Sequence, residues 1–347
     1  MKISRISKQA TSSKSRNKLL AAIFSCVASY SCLLFSHGAD GQTSTKSDRQ
    51  RIFSTLQLDK AVFLSAMRLP INLPEQPVRP ESLSASTNLS LASSSILPLL
   101  SAPSDLYDLL KSNQLVQIIA DVELGDTKSD VGQESNSKGL TRNLVVTLKK
   151  DSPQLVQLDK NSSKQKSGHK HGVESSPMEW QGEGSYWYAT ALDAKHLLVS
   201  NKRDNTGKVK SRFAFSSAFN DLPNRMKLLL TDATGEPDLW QILDTSIVDE
   251  SNADRASSQL CEFAQDKTSM VSFVEPGTEV LKTIVSSTNK SVADKLKREL
   301  NDFKEPAEFD LKKIADSKFT ITISGVEPKS TKAKVFLLLL TGPLSAS

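Results

Sequence analysis

Tyr186-Trp187-Tyr188-Ala189-Thr190-Ala191-Leu192, then Asp193-Ala194-Lys195, then His196-Leu197-Leu198-Val199-Ser200 is the stretch on which the fold turns. Two runs rich in aromatic and β-branched residues flank a short polar connection, the pattern of an antiparallel hairpin. Period-2 geometry puts Tyr186 and Tyr188 on one face and Trp187 on the other, so one of the two faces turns to a core.

Upstream of it, Gln114–Leu124 and Asn143–Leu148 read as further strands, separated by a polar loop over 125–139. A second polar loop is expected over 159–177. Ser104 is placed as the N-cap of a short helix running through Leu110. Downstream, a helix carrying Phe215 and Phe219 stops near Pro223. Met226–Thr231 has the look of a buried strand, and Pro237 of the first residue of a helix bearing Leu239, Trp240, Ile242 and Leu243.

The last hundred residues repeat this loose order. Ser269–Val274 alternates as a strand, and Thr278 caps a helix with Val280, Leu281, Ile284 and Val285. Ser291-Val292-Ala293-Asp294 opens a helix whose apolar stripe is Val292, Leu296, Leu300 and Phe303. Phe319–Ile323 alternates again. The run Val335–Leu340 suits a strand buried on both faces. The shared order of the two halves fits either a duplication or chance.

At the other end, residues 48–69 are expected to form one helix, ending at Pro70. A Pro/Ser-rich linker extends from there to Pro103, since proline removes backbone donors and serine competes for local bonds. Strands followed by runs of helices indicate α+β. The expected architecture is two small mixed subdomains of antiparallel-leaning sheet packed by helices, over residues 104–250 and 251–347. An export signal (1–41) and the helix-plus-linker segment (42–103) precede them.

The signal is read from Lys2, Arg5, Lys8, Lys14, Arg16 and Lys18, an uncharged run from Leu19 to Phe35, and the small residues around Gly38 and Gly41. If it is cut, the protein is periplasmic or secreted; if it stays, it is a single N-terminal anchor. Residues 1–41 hold six of the 44 Lys and Arg residues and one of the 39 acids, leaving 38 of each in the remainder. A neutral remainder has no global field for phosphate backbones, which excludes a basic nucleic-acid binder. Of three cysteines only Cys261 lies beyond that segment, so a disulfide scaffold is excluded too, and Cys261 is expected in the core. The 51 serines and the 38% hydrophobic content leave room for a core, provided part of the chain stays outside it.

Chemistry-bearing patterns are sparse. His169-Lys170-His171 sits among lysines that oppose a cation, and no carboxylate or thiol pair lies nearby, so no metal site is expected. Asp232-Ala233-Thr234-Gly235 reads as a turn. No phosphate loop, nucleophile elbow or zinc-helix motif occurs, and no cofactor is implied. The one suggestive cluster is Glu179, Trp180, Glu183, Tyr186, Trp187 and Tyr188, where aromatic faces beside carboxylates suit stacking on sugar rings. The expectation is therefore an exported, non-catalytic protein that binds a protein or glycan partner of the cell envelope or has a structural role there. The alternative is glycan binding or polymer hydrolysis by the 179–193 segment.

Overall fold

The structure, a computed structural model, describes residues 46–68, 97–124, 140–164, 177–182, 185–215, 222–231, 237, 239–249, 258–274, 281–292, 294, 308–315 and 318–326. The export signal, residues 70–96 of the linker, the 125–139 loop, His169 and His171, Glu183, Asp232–Gly235, the stripe beyond Val292 and the Val335–Leu340 run lie outside them.

The hairpin is present as β5 (Ser185–Ala191) and β6 (His196–Ser200), and β2 (Leu115–Leu124) and β3 (Leu140–Leu148) form as expected. They belong to a larger sheet than the sequence suggests. Instead of two small sheets there is one of eleven strands, all antiparallel, in the order β10-β11-β9-β8-β7-β1-β2-β3-β6-β5-β4. The fold class is α+β.

Its central strand is β1 (Ala61–Met67), which falls where a single helix over 48–69 was expected. The helix, α1, covers only Lys46–Thr55. Ser54 and Thr55 donate their hydroxyls back to the Arg51 carbonyl (2.8 and 2.7 Å), and a turn closes with Lys60 N–H to Gln57 O (2.9 Å). The run Ala-Val-Phe-Leu-Ser-Ala-Met that follows is buried on both faces, so it shows no polar alternation to mark it as a strand.

Four more readings are corrected. Met226–Thr231 is not a strand but α6 (Asn224–Leu229) and a turn: Met226 is buried while Leu228 stands in solvent. The residues after Pro237 form β7 (Leu239–Asp244), with Trp240 and Ile242 in one core cluster and Leu243 pointing to the other face. Residues 281–287 form β9 (Leu281–Ser287), not a helix after Thr278. Both segments satisfy helical spacing by chance, because side chains buried on both faces of a strand also occupy i, i+3 and i+4. The helix after Pro103 runs to Asn113 and begins at Ser104, so Pro103 rather than Ser104 is its N-cap.

Helices cover both faces. One face packs α2 (Leu97–Leu100), α3 (Ser104–Asn113) and α4 (Pro153–Lys164) on Met67, Ile118, Ala120, Leu144, Val146, Leu197 and Val199; Leu106, Tyr107 and Leu110 of α3 are fully buried there. The other face packs α1, α5 (Arg203–Phe215) and α6 on Leu64, Ala66, Ile119, Val145, Leu198, Trp240 and Ile242. Each Val, Leu, Ile or Met side chain among them, once removed from water, stabilises by about 1.5–3 kcal/mol.

The sheet order contains a repeat. From β1 outward it reads β2, β3, β6, β5. From β7 outward it reads β8 (Ser269–Val274), β9, β11 (Lys318–Val326), β10 (Glu308–Ala315). In each half a helix leads into the second strand: α3 into β2 and α7 (Ser258–Gln265) into β8. At each junction stands a non-glycine residue with positive φ, Gln114 (54°) and Lys267 (46°), the two such residues among those described. Each junction also accepts a bond from the residue after the third strand: Lys149 N–H to Gln114 O (2.9 Å) and Thr288 N–H to Asp266 O (3.0 Å). The halves meet antiparallel at β1–β7, which gives an approximate two-fold relation and supports the duplication reading.

Arg225 of α6 clasps that junction. Its guanidinium donates to Asp244 Oδ2 at the end of β7 (2.5 Å) and to the Leu58 and Ala61 carbonyls at the start of β1 (2.7 Å each). Among the described residues no helix is long and apolar enough to cross a membrane.

Candidate functional site

The residues singled out from the sequence are separated by the β4–β5 hairpin at one end of the sheet, where β4 (Met178–Gly182) is the edge. Trp180 and Trp187 are opposite each other across the two strands and both turn inward, into the cluster under α2–α4. The Trp187 indole N–H donates to Gly182 O (3.2 Å). Neither tryptophan is a stacking platform. The outer face pairs Glu179 with Tyr188 and Gln181 with Tyr186. Glu179 and Gln181 are exposed, Tyr186 is 54% exposed, and Tyr188 is half-buried. Burial, and then the Glu179 carboxylate, raise the Tyr188 hydroxyl above its ordinary pKa. The open part of the cluster is thus two acceptor-rich side chains beside two phenols, while Ser200, opposite Tyr188 on β6, is buried.

The face under α1 and α5 holds two polar groups that the motif search missed. The first lies on β2. Asp121 and Glu123 share a face with Ile119, and both are buried, Asp121 at 1% exposure. Glu123 Oε1 accepts the Gln57 N–H and an Asn143 amide N–H (3.2 Å each), while Asn143 Oδ1 accepts from Ser200 Oγ (2.9 Å) and Asn205 Nδ2 (2.6 Å). This network ties the α1–β1 turn, β2, β3, β6 and α5 together. Asp121 contributes no hydrogen bond to it: both of its oxygens are buried without a partner. Burial, and then the neighbouring Glu123 charge, push the Asp121 carboxyl well above its ordinary range. Burial raises Glu123 as well, with the adjacent Asp121 carboxyl, the Gln57 amide, Arg212 and Lys60 pulling the other way.

The second group surrounds His196. Asp193 Oδ1 accepts the backbone N–H groups of Lys195 and His196 (2.8 Å each), and the His196 Nδ1 lies 2.9 Å away. Asp193 is subject to a rise from burial, but the His196 bond and charge and the two amides outweigh it, and its pKa is lowered. Arg51 reaches Asp193 at 3.7 Å and lies 3.9 Å over the Phe213 ring, which itself packs on the imidazole at 5.3 Å. Gln117, Thr147 and His196 are cross-strand neighbours on this face. Gln117 Oε1, Thr147 Oγ1 and His196 Nε2 are all buried without a hydrogen-bond partner. Acid, imidazole and hydroxyl stand in line, yet Nε2 and Oγ1 do not bond and the row is covered by Phe213.

One signal in the sequence marks both groups. In Leu-Val-Gln-Ile-Ile-Ala-Asp-Val-Glu-Leu the polar residues 117, 121 and 123 all fall on one face of a strand otherwise fit for burial on both. Cys261 is half-buried in α7 rather than in the core. No cluster of three metal-ligating side chains occurs among the described residues.

Neither a protein family nor a curated protein matches the sequence. Among solved structures, crystal form I of TP0453 is similar at 9% identity and a TM-score of 0.38, covering 86% of this chain and 98% of that one. Crystal form III of TP0453 is similar at 11% identity and a TM-score of 0.35, covering 79% and 94%.

Proposed function

We propose that this is an exported, non-catalytic protein of the cell envelope or the extracellular space that binds its partner through the outer face of the β4–β5 edge hairpin. One observation carries the reading. At the end of the sheet, Tyr186 stands more than half exposed beside Glu179 and Gln181, while the tryptophans behind it hold the hairpin rigidly against the core. A rigid phenol flanked by hydrogen-bonding side chains binds with little loss of conformational entropy, which is why tyrosine is enriched at interaction sites. The basic, apolar and small-residue succession in residues 1–41 supports export. The same face favours a second reading, glycan binding, because a phenol beside a carboxylate and an amide matches the apolar face and hydroxyls of a sugar ring.

The test is a thermal-shift panel of the purified protein against envelope glycans, with a pull-down from envelope extract, each repeated with Tyr186→Ala and Trp187→Ala. Tyr186→Ala should abolish binding and leave Tm unchanged. Trp187→Ala should lower Tm through a core loss of about 3–5 kcal/mol. Binding that survives Tyr186→Ala refutes the hairpin as the site.

A further inference from the structure

The far end of the sheet carries a second open surface, independent of the hairpin. β10 is the last strand, with β11 on one side and nothing described on the other. Residues 310–315 are exposed on both faces, with Leu311 at 41% and Ile314 at 56%. In the other half of the molecule the corresponding strand, β5, is not an edge, because β4 covers it. Among the described residues, the repeat thus leaves one strand position filled on one side and open on the other. An open strand edge is a template for pairing.

The sequence of this edge is complementary to itself. Glu308-Phe309-Asp310-Leu311-Lys312-Lys313-Ile314-Ala315 can meet a second copy antiparallel about a two-fold axis through Leu311. That register sets Leu311 against Leu311, Asp310 against Lys312 twice, and Phe309 against Lys313. Shifting it by one pair either way sets Asp310 against Asp310 or Lys312 against Lys312. Opposite charges facing across strands stabilise the pair and like charges oppose it, so the charges favour the register through Leu311: the shift that faces Asp310 with Asp310 regains Glu308 against Lys312 but keeps a like pair at its centre. Lysines on an edge ordinarily deter pairing. Here Asp310, two residues away on the same face, turns that deterrent into a selector. We propose that β10 pairs with β10 of a second copy of this chain, joining two sheets edge to edge into one.

Sedimentation velocity and light scattering across concentrations up to about a hundred micromolar test this. The wild-type protein should show a concentration-dependent dimer. Asp310→Lys or Lys312→Asp alone should weaken it by about tenfold or more, and the two together should restore it, since the swap recreates the pairs. Leu311→Cys, with the three native cysteines replaced by serine, should oxidise to a covalent dimer, because paired Cα atoms lie within disulfide reach. A monomer throughout that range overturns the proposal, whether β10 amides exchange freely or are protected by another part of the same chain. So does a dimer indifferent to the single charge changes or not restored by the double one, which would place the interface elsewhere.

Discussion

Replacing Arg225 with methionine should cost about 3 kcal/mol of unfolding free energy. The figure follows from the geometry of the clasp. The guanidinium is 21% exposed and makes one ion pair and two short bonds to carbonyls, and the Asp244 side chain it neutralises is 4% exposed. Breaking a buried pair from one side costs about 3–5 kcal/mol, because the remaining charge is left in a poor solvent. Two features reduce this: water reaches the exposed edge of the guanidinium, and Asp244 Oδ1 keeps the Ser246 N–H (2.9 Å). On the other side, the Leu58 and Ala61 carbonyls lose charge-assisted donors, which adds back about 1 kcal/mol. For an ordered body of this size, 3 kcal/mol lowers Tm by roughly 6–12 °C. The assay is urea unfolding by circular dichroism, with the midpoint falling at constant m. Asp244→Asn in the Arg225→Met background should then cost far less than in the wild type, since the carboxylate it removes has already lost its partner. Arg225→Lys should recover only part, as one ammonium cannot serve a carboxylate and two carbonyls in the same plane. A loss under about 1 kcal/mol, or two additive single losses, refutes the clasp as the joint between the halves.

Stability should fall as pH rises out of the acid range. Asp121 and Glu123 have raised pKa values in the folded protein, so between the ordinary Asp value near ~3.9 and the raised one the native state holds protons that the unfolded chain has released. Each such proton gives a slope of about −1.4 kcal/mol per pH unit in that interval. Asp121→Asn should flatten the profile of Tm against pH and stabilise the protein at neutral pH; parallel profiles would refute it. At Gly182, an added Cβ meets the Ser101 hydroxyl at closer than van der Waals distance and Ser101 Cβ at 3.1 Å. Gly182→Ala should therefore cost about 1–2 kcal/mol through overpacking, and Ser101→Gly in the same chain should return most of it. Additive losses would refute the contact.

Local pairing was readable where one rule applied at a time. The Asp193–Lys195 connection with β-rich flanks gave the hairpin, β-branched apolar runs bounded by polar loops gave β2 and β3, and period-2 alternation gave β8 and β11. The centre of the sheet was not readable, because β1 and β7 are buried on both faces and lose the alternation that marks a half-buried strand. Over Leu239–Leu243 the same loss of alternation imitates a helix. The Leu-rich 226–231 segment misled in the opposite direction, since leucine favours helices and Leu228 turns out to face water. Joining the halves into one sheet depends on β1 meeting β7, a pairing that no local pattern encodes. At the candidate site, the aromatic segment was found, but which face was inward was not, and the sequence spacing alone gave Trp187 and Tyr186 equal standing. The Asp121 and His196 groups escaped because their partners come from β3, β6, α1 and α5, which only the fold assembles.

The position of β1 also dictates an order of events during synthesis. Phe63 pairs with Val122 on one side and with Leu243 on the other, 180 residues later. A ribosome adding about 5–20 residues per second needs roughly ten to forty seconds to make that interval. Throughout it, an uncharged strand with the composition of an aggregation-prone segment has one hydrogen-bonding edge unoccupied. Until the second half arrives, the first half therefore carries β1 as an open edge strand. Shielding of residues 61–67 during that wait, by a holdase or by a chain that stays extended until it is whole, would keep that edge from pairing with another copy.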